Sequence, residues 1–171
     1  MRKVTDRMTP EGKKLFKELN KLAKLEVQAG FTAGKKGYGE NHSPVDAADY
    51  PGGPSVAEVA AWNEFGTRNA DGSQRIPARP FMRQSVDKYG PHIQKMLALQ
   101  LEAVAKGEAG ADKALRAIGA LQVGLIQHEI CDGGFTENAG STKALKGSST
   151  PLIDEGRMRQ SVHYAVKSRE G

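Results

Sequence analysis

The sequence predicts an α+β fold: a small, mainly antiparallel sheet flanked by helices, with long loops and an extended arm. Three observations carry this. Leu15, Phe16, Leu19, Leu22 and Ala23 recur at helical spacing, as do two later apolar series. Leu25, Val27, Ala29 and Phe31 alternate with Glu26, Gln28, Gly30 and Thr32, and near the other end Val162, Tyr164 and Val166 alternate with Ser161, His163 and Ala165; period two is the mark of strands with one covered face. Between these segments lie polar stretches rich in Gly, Pro, Asn and Asp. A chain of 171 residues suits a single domain.

The first helix is read from Thr9 to Lys24. Thr9 is a good N-cap, Pro10 fits the first helical position and Glu11 sits in the first turn. A strand follows directly. Residues 33–54 read as a long loop, and Ser55 then caps a helix over Val56–Phe65 with Val56, Val59, Ala60 and Phe65 inward and Gly66 as its stop. "TRNADGSQR" reads as a loop, and Pro77 and Pro80 keep the next segment extended. A helix from Pro80 to about Tyr89 should break or kink at Gly90-Pro91. Ile93, Met96, Leu97, Leu101 and Val104 then resume an apolar face. After the "KGEAGAD" turn, Leu115, Ile118, Leu121, Leu125 and Ile126 mark a helix from Asp112 to about Ile130. Residues 131–150 are polar and small, an exposed arm. A helical turn near Asp154 to Gln160 leads into the last strand.

Charge is unevenly placed. Residues 1–36 hold Arg2, Lys3, Arg7, Lys13, Lys14, Lys17, Lys21, Lys24, Lys35 and Lys36 against Asp6, Glu11, Glu18 and Glu26, a balance of +6. The remaining 15 basic and 16 acidic residues give −1, so the basic helix within residues 1–24 carries much of the net +5. Such a helix suits nucleic acid or an acidic protein surface. The single Cys131 cannot form an intrachain disulfide, and no apolar segment is long enough to span a bilayer. A soluble protein assembled in a reducing cytoplasm is the expectation.

Catalytic patterns fail when tested. "GFTAGKK" at 30–36 is one residue short of a phosphate loop and has Lys36 where Ser or Thr would hold magnesium. "HEICD" at 128–132 places Asp132 where a zinc-binding helix needs its second His. No G-x-S-x-G elbow occurs. The reading assigns no enzyme activity, no catalytic residue, no cofactor and no metal. What stands out instead is Trp62, Asn63, Glu64, Phe65 and Gly66 together with Arg79, Pro80 and Phe81, in which Arg79 is expected to pair with Glu64. Trp, Phe and Arg are the residue types that concentrate interface energy. Asp154, Gly156, Arg157 and Ser161 form a second candidate structural unit ahead of the final strand.

"YPGGPSVAEVAAWNEFGT", "IPARPFMRQSV" and "KGSSTPLIDEGRMRQSVHYAV", taken in this order, resemble the tail-completion or virion-morphogenesis proteins of tailed bacteriophages. An Asn-Glu-Phe-Gly-Thr turn, a Pro-Ala-Arg-Pro-Phe strap and a Pro-Leu-Ile-Asp-Thr-Gly-Arg-Leu segment recur in that family. The likeness runs from about residue 25 to residue 168 and departs at Glu155, where the family commonly has Thr. The resemblance implies a non-enzymatic virion protein, assembled in the host cytoplasm, that forms a homo-oligomeric ring at the neck or the upper end of the tail. A hexamer is favoured over a dodecamer, with neck, head-completion and tail-tube proteins as partners and DNA passing through without specific recognition. The alternative is a nucleic-acid-binding protein acting through its basic N-terminal helix.

Overall fold

A computed structural model describes residues 8–31, 54–137, 152 and 156–169 of the chain. Residues 33–53 of the expected 33–54 loop, most of the expected arm and Asp154 lie outside the described residues. The elements run α1 (Pro10–Lys24), β1 (Leu25–Gly30), α2 (Val56–Phe65), β2 (Thr67–Arg68), β3 (Gln74–Ile76), α3 (Phe81–Ala105), α4 (Ala111–Asp132), α5 (Arg157–Gln160) and β4 (His163–Ser168). The fold is α+β, as the periodicities indicate.

Local chemistry accounts for the element starts. The Thr9 hydroxyl accepts the Gly12 N–H at 3.1 Å, with Pro10 in the first turn. Ser55 and Glu58 form a reciprocal capping box on α2, the Ser55 hydroxyl accepting Glu58 N–H and the Glu58 carboxylate accepting Ser55 N–H at 2.8 Å. The Ser55 N–H and the Ser55 Oγ–H, which also donates to the Glu58 carboxylate at 2.8 Å, hold that carboxyl below the usual glutamate range.

Strands β1 and β4 pair antiparallel with Leu25 opposite Ser168 and Gly30 opposite His163. This ribbon lies on α4, and α4 in turn packs along α3 as an antiparallel helix pair. Helix and ribbon approach closely because position 119 has no side chain. A Cβ on Gly119 would stand 2.5 Å from Tyr164 Cδ2 and 2.9 Å from Val27 Cγ2, so one residue sets the spacing between α4 and both strands.

Two expectations change. Helix α3 continues through Gly90-Pro91 instead of breaking there. Pro91 and Asp87, whose carbonyl the proline cannot reach with an N–H, are both exposed residues, and packing against α4 offsets the lost hydrogen bond. The segment read as a loop after Gly66 holds a second, two-stranded antiparallel sheet, β2 with β3. Its turn is built by Gly72 N–H donating to Asn69 O and Asn69 N–H to Ser73 O, with Gly72 at φ 83°. Strands of two and three residues are too short to show alternation.

The core lies where α2, the start of α3, the end of α4 and α5 converge. Val56, Ala60, Phe81, Ile126, Ile130, Leu152, Met158 and Val162 are buried there, with Ala29, Phe31, Met82, Val123 and Phe135 packed around them. The rings of Phe31 and Phe81 meet edge to face at 6.0 Å. The start of the expected arm is only partly exposed: Cys131 and Asp132 close α4 and Phe135 folds back onto the core, while Asp132, Gly134, Thr136 and Glu137 are exposed.

Candidate assembly interface

The first predicted unit assembles around the end of α2. Asn63 donates through Nδ2 to Val59 O at 2.8 Å, which turns its carbonyl oxygen outward. That oxygen accepts Arg79 Nη1–H at 2.9 Å, while the Asn63 main-chain oxygen accepts Arg79 N–H at 2.6 Å. The other guanidinium groups donate to main-chain oxygens of the segment beyond α4, Nε–H to Thr136 at 3.0 Å and Nη2–H to Glu137 at 3.4 Å. Arg79 is only 4% exposed, and burial pushes its pKa down from the ordinary arginine value. Its planar fork thus ties three stretches of chain far apart in sequence.

Glu64 is also buried, and it has a different task from the one the sequence suggests. Its Oε2 accepts Met82 N–H at 2.9 Å and its Oε1 accepts Arg83 N–H and Nε–H, each at 3.3 Å. Helix α3 has Pro80 at its N-cap and no side-chain cap of its own. The carboxylate of α2 supplies one, placing negative charge on the positive end of the helix. The expected Arg79–Glu64 pair is therefore replaced by Arg79–Asn63 and Glu64–Arg83. Glu64 follows Asn63 by one residue on a helix, so their side chains point about 100° apart and serve different neighbours.

Pro80, at φ −77° and ψ 59°, is the centre of an inverse γ-turn in which Phe81 N–H donates to Arg79 O at 2.8 Å. The turn drives Phe81 into the core, where it is fully buried. Gly66, at φ 73°, lets the strap pass: a Cβ there would come within 2.9 Å of Ala78 N and Ile76 O. Trp62 and Phe65 face outward at 41% and 72% exposure, and the Arg83 guanidinium lies 5.9 Å from the Phe65 ring centre. The expectation that Phe65 is inward is thus overturned, because Glu64 takes the buried position at that end of α2.

The second unit joins the same core. Gly156 adopts the left-handed conformation, φ 72° and ψ 7°, ahead of α5. Met158 and Val162 are buried in the cluster with Ala60 and Phe81. Ser161 is buried and donates through Oγ–H to Arg157 O at 2.7 Å, while half-buried Arg157 opens the helix.

Sequence reasoning missed one polar seam. Glu129, 1% exposed, is bound by Lys88 Nζ at 2.8 Å, and Gln122 donates to the buried Ser85 hydroxyl at 3.0 Å, both across the α3–α4 contact. The signal was Glu129's place three residues after Ile126, on the apolar stripe itself. His128, beside it, turns to Asp132 at 3.1 Å on the exposed side, so the "HEICD" residues do not converge. Among the described residues no group of three or more His, Cys, Asp or Glu is placed to hold a metal ion, and no helix is long and apolar enough to cross a membrane. Comparison with protein-family models, with curated proteins and with solved structures finds no match.

Proposed function

We propose that this chain is a structural protein of a tailed-bacteriophage virion: a tail-completion or tail-terminator protein that forms a ring, a hexamer by preference, at the head–tail junction around the DNA channel. Catalysis has no part in this reading. One observation supports it above the others. The three stretches that carry the resemblance lie far apart in sequence and converge on one core, through Val56, Ala60, Phe81, Met158 and Val162. They are parts of one structural unit. That unit holds Trp62 and Phe65 at the surface, where a neighbouring copy can cover them. Head-to-tail contacts of this kind close into rings when the rotation between copies permits. Neck, head-completion and tail-tube proteins would dock above and below, with DNA passing through the centre without specific recognition.

The test is the mass of the purified chain by light scattering, alone and mixed with tail-tube and neck proteins. A ring or a stoichiometric complex is expected, weakened by Trp62→Ser with Phe65→Ser while circular dichroism stays unchanged. A monomer indifferent to both partners overturns the reading.

A further inference from the structure

Helix α1 divides into three sectors. At 100° per residue, Lys13, Lys24, Lys17, Lys21 and Lys14 span one arc of about 100°. Pro10 lies within that arc, Glu18 and Glu11 border it on one side and Asn20 on the other, and Leu22, Leu15, Leu19, Gly12, Ala23 and Phe16 cover the rest. The tertiary contacts then use the sectors unequally. Glu18 Oε2 accepts Ala111 N–H at 2.8 Å, capping α4, and Lys21 pairs with Asp112. Glu11, Gly12, Lys14, Leu15 and Glu18 line a cleft against the α3–α4 turn. Both acids of the helix are thus turned toward the protein, and one is already bound.

Lys13, Lys17 and Lys24 remain exposed, and none of them forms an ion pair among the described residues. The chain end adds to them. Arg169 N–H donates to Lys24 O at 2.8 Å, so antiparallel pairing of β4 with β1 brings an exposed arginine from the far end of the sequence to the last turn of the lysine face. The result is a group of four exposed cations, none of which forms an ion pair among the described residues.

We propose that this face, Lys13, Lys17, Lys24 and Arg169, binds the phosphate backbone of double-stranded nucleic acid without reading its sequence. The dimensions fit. Eleven residues at 1.5 Å rise give a row about 16 Å long, and phosphates spaced about 3.4 Å along one strand place about five opposite it. Lysines offer point charges rather than a planar fork for base edges. No aromatic residue lies in the arc to stack an unpaired base; Phe16, the nearest, is about 60° outside it. Leu22 and Leu15, the edge of the apolar sector beside the two acids, are half-buried against the protein, while Leu19 and Phe16 are 45% and 55% exposed; a lipid surface is therefore the competing ligand, and vesicle binding is one arm of the test.

The inference goes beyond the assembly reading and is measured separately from it. Fluorescence anisotropy of a labelled random-sequence DNA duplex, titrated with the full chain, should show four released counterions. The slope of log K against log salt is then about −3.6, a loss of about 100-fold between about 50 and about 200 mM salt. Lys13→Gln/Lys17→Gln/Lys24→Gln should flatten the slope to about −0.9. The same three positions as Arg should restore it. Circular dichroism and light scattering of the glutamine variant should match the parent, which keeps a failure to bind distinct from a failure to fold or assemble. Binding that the glutamine variant retains overturns the proposal. So does equal competition by polyglutamate, stronger binding to phosphatidylserine vesicles, or preference for single strands.

Discussion

Replacing Gly119 with Ala tests how helix and ribbon are held together. The new Cβ would stand 2.5 and 2.6 Å from Tyr164 Cδ2 and Cγ and 2.9 Å from Val27 Cγ2. Comfortable carbon contacts lie at about 3.5–4.0 Å, so the deficit is about 1 Å on two sides at once. Tyr164 belongs to β4 and Val27 to β1, strands that are paired with each other, and neither can retreat alone. Helix α4 must lift from the ribbon, at a typical overpacking cost of about 1–3 kcal/mol. Against this, alanine is about 1 kcal/mol better than glycine inside a helix. Gly124 separates the two effects, because it is exposed on the same helix with nothing within 4 Å of an added Cβ. Gly124→Ala should therefore raise stability by about 1 kcal/mol. Gly119→Ala should fall below it by the overpacking term of about 1–3 kcal/mol, read as the difference in urea-unfolding free energy by far-ultraviolet circular dichroism. Equal stability of the two variants would refute the argument that Gly119 sets the helix–ribbon distance.

Glu64→Ala should cost about 1–3 kcal/mol, since it leaves the Met82 and Arg83 N–H groups without their acceptor. Paired with Arg79→Ala, its cost should add to within about 0.5 kcal/mol, because the two side chains serve different partners; Arg79→Ala with Asn63→Ala should instead be non-additive. Chemical denaturation of the single and double variants decides this, and strong coupling between positions 64 and 79 would restore the pairing discarded above. At the start of α2 the Glu58 carboxyl is held low by Ser55, so the folded state gains stability above the ordinary glutamate range and loses it as pH falls through the lowered value. The gap in melting temperature between the parent and Ser55→Ala should accordingly narrow on acidification; a gap that widens contradicts the capping box.

The legible parts of this protein are those governed by neighbours in sequence. Thr9 and Pro10 start α1 and Ser55 starts α2 at the expected residues, since a cap needs only an oxygen and an N–H two or three positions away. The change from period 3.6 to period two at Leu25 marks the α1–β1 junction for the same reason. Pro91 misled because a proline's local cost is known while the packing that offsets it along α4 is not. Phe65 misled because hydrophobicity does not say which of two adjacent positions a core will take, and the buried place went to Glu64, whose carboxylate α3 required.

Around the end of α2 the sequence grouped residues that the structure does bring together, and mispaired them. Asn63, Glu64 and Arg79 are polar groups that can satisfy one another in several ways, and the choice rests on where Thr136, Glu137 and the first turn of α3 arrive in space. The sequence by itself determined the order of the helical segments and of the two outer strands, through capping and periodicity that act over a few residues, although not that the segments on either side of Pro91 are one helix. Tertiary structure alone decided that Gly119 receives Tyr164, that Arg79 gathers three distant segments and that Arg169 extends the lysine face of α1. Each of those depends on atoms brought together from separate parts of the chain, and burial and hydrogen-bond satisfaction are properties of that meeting.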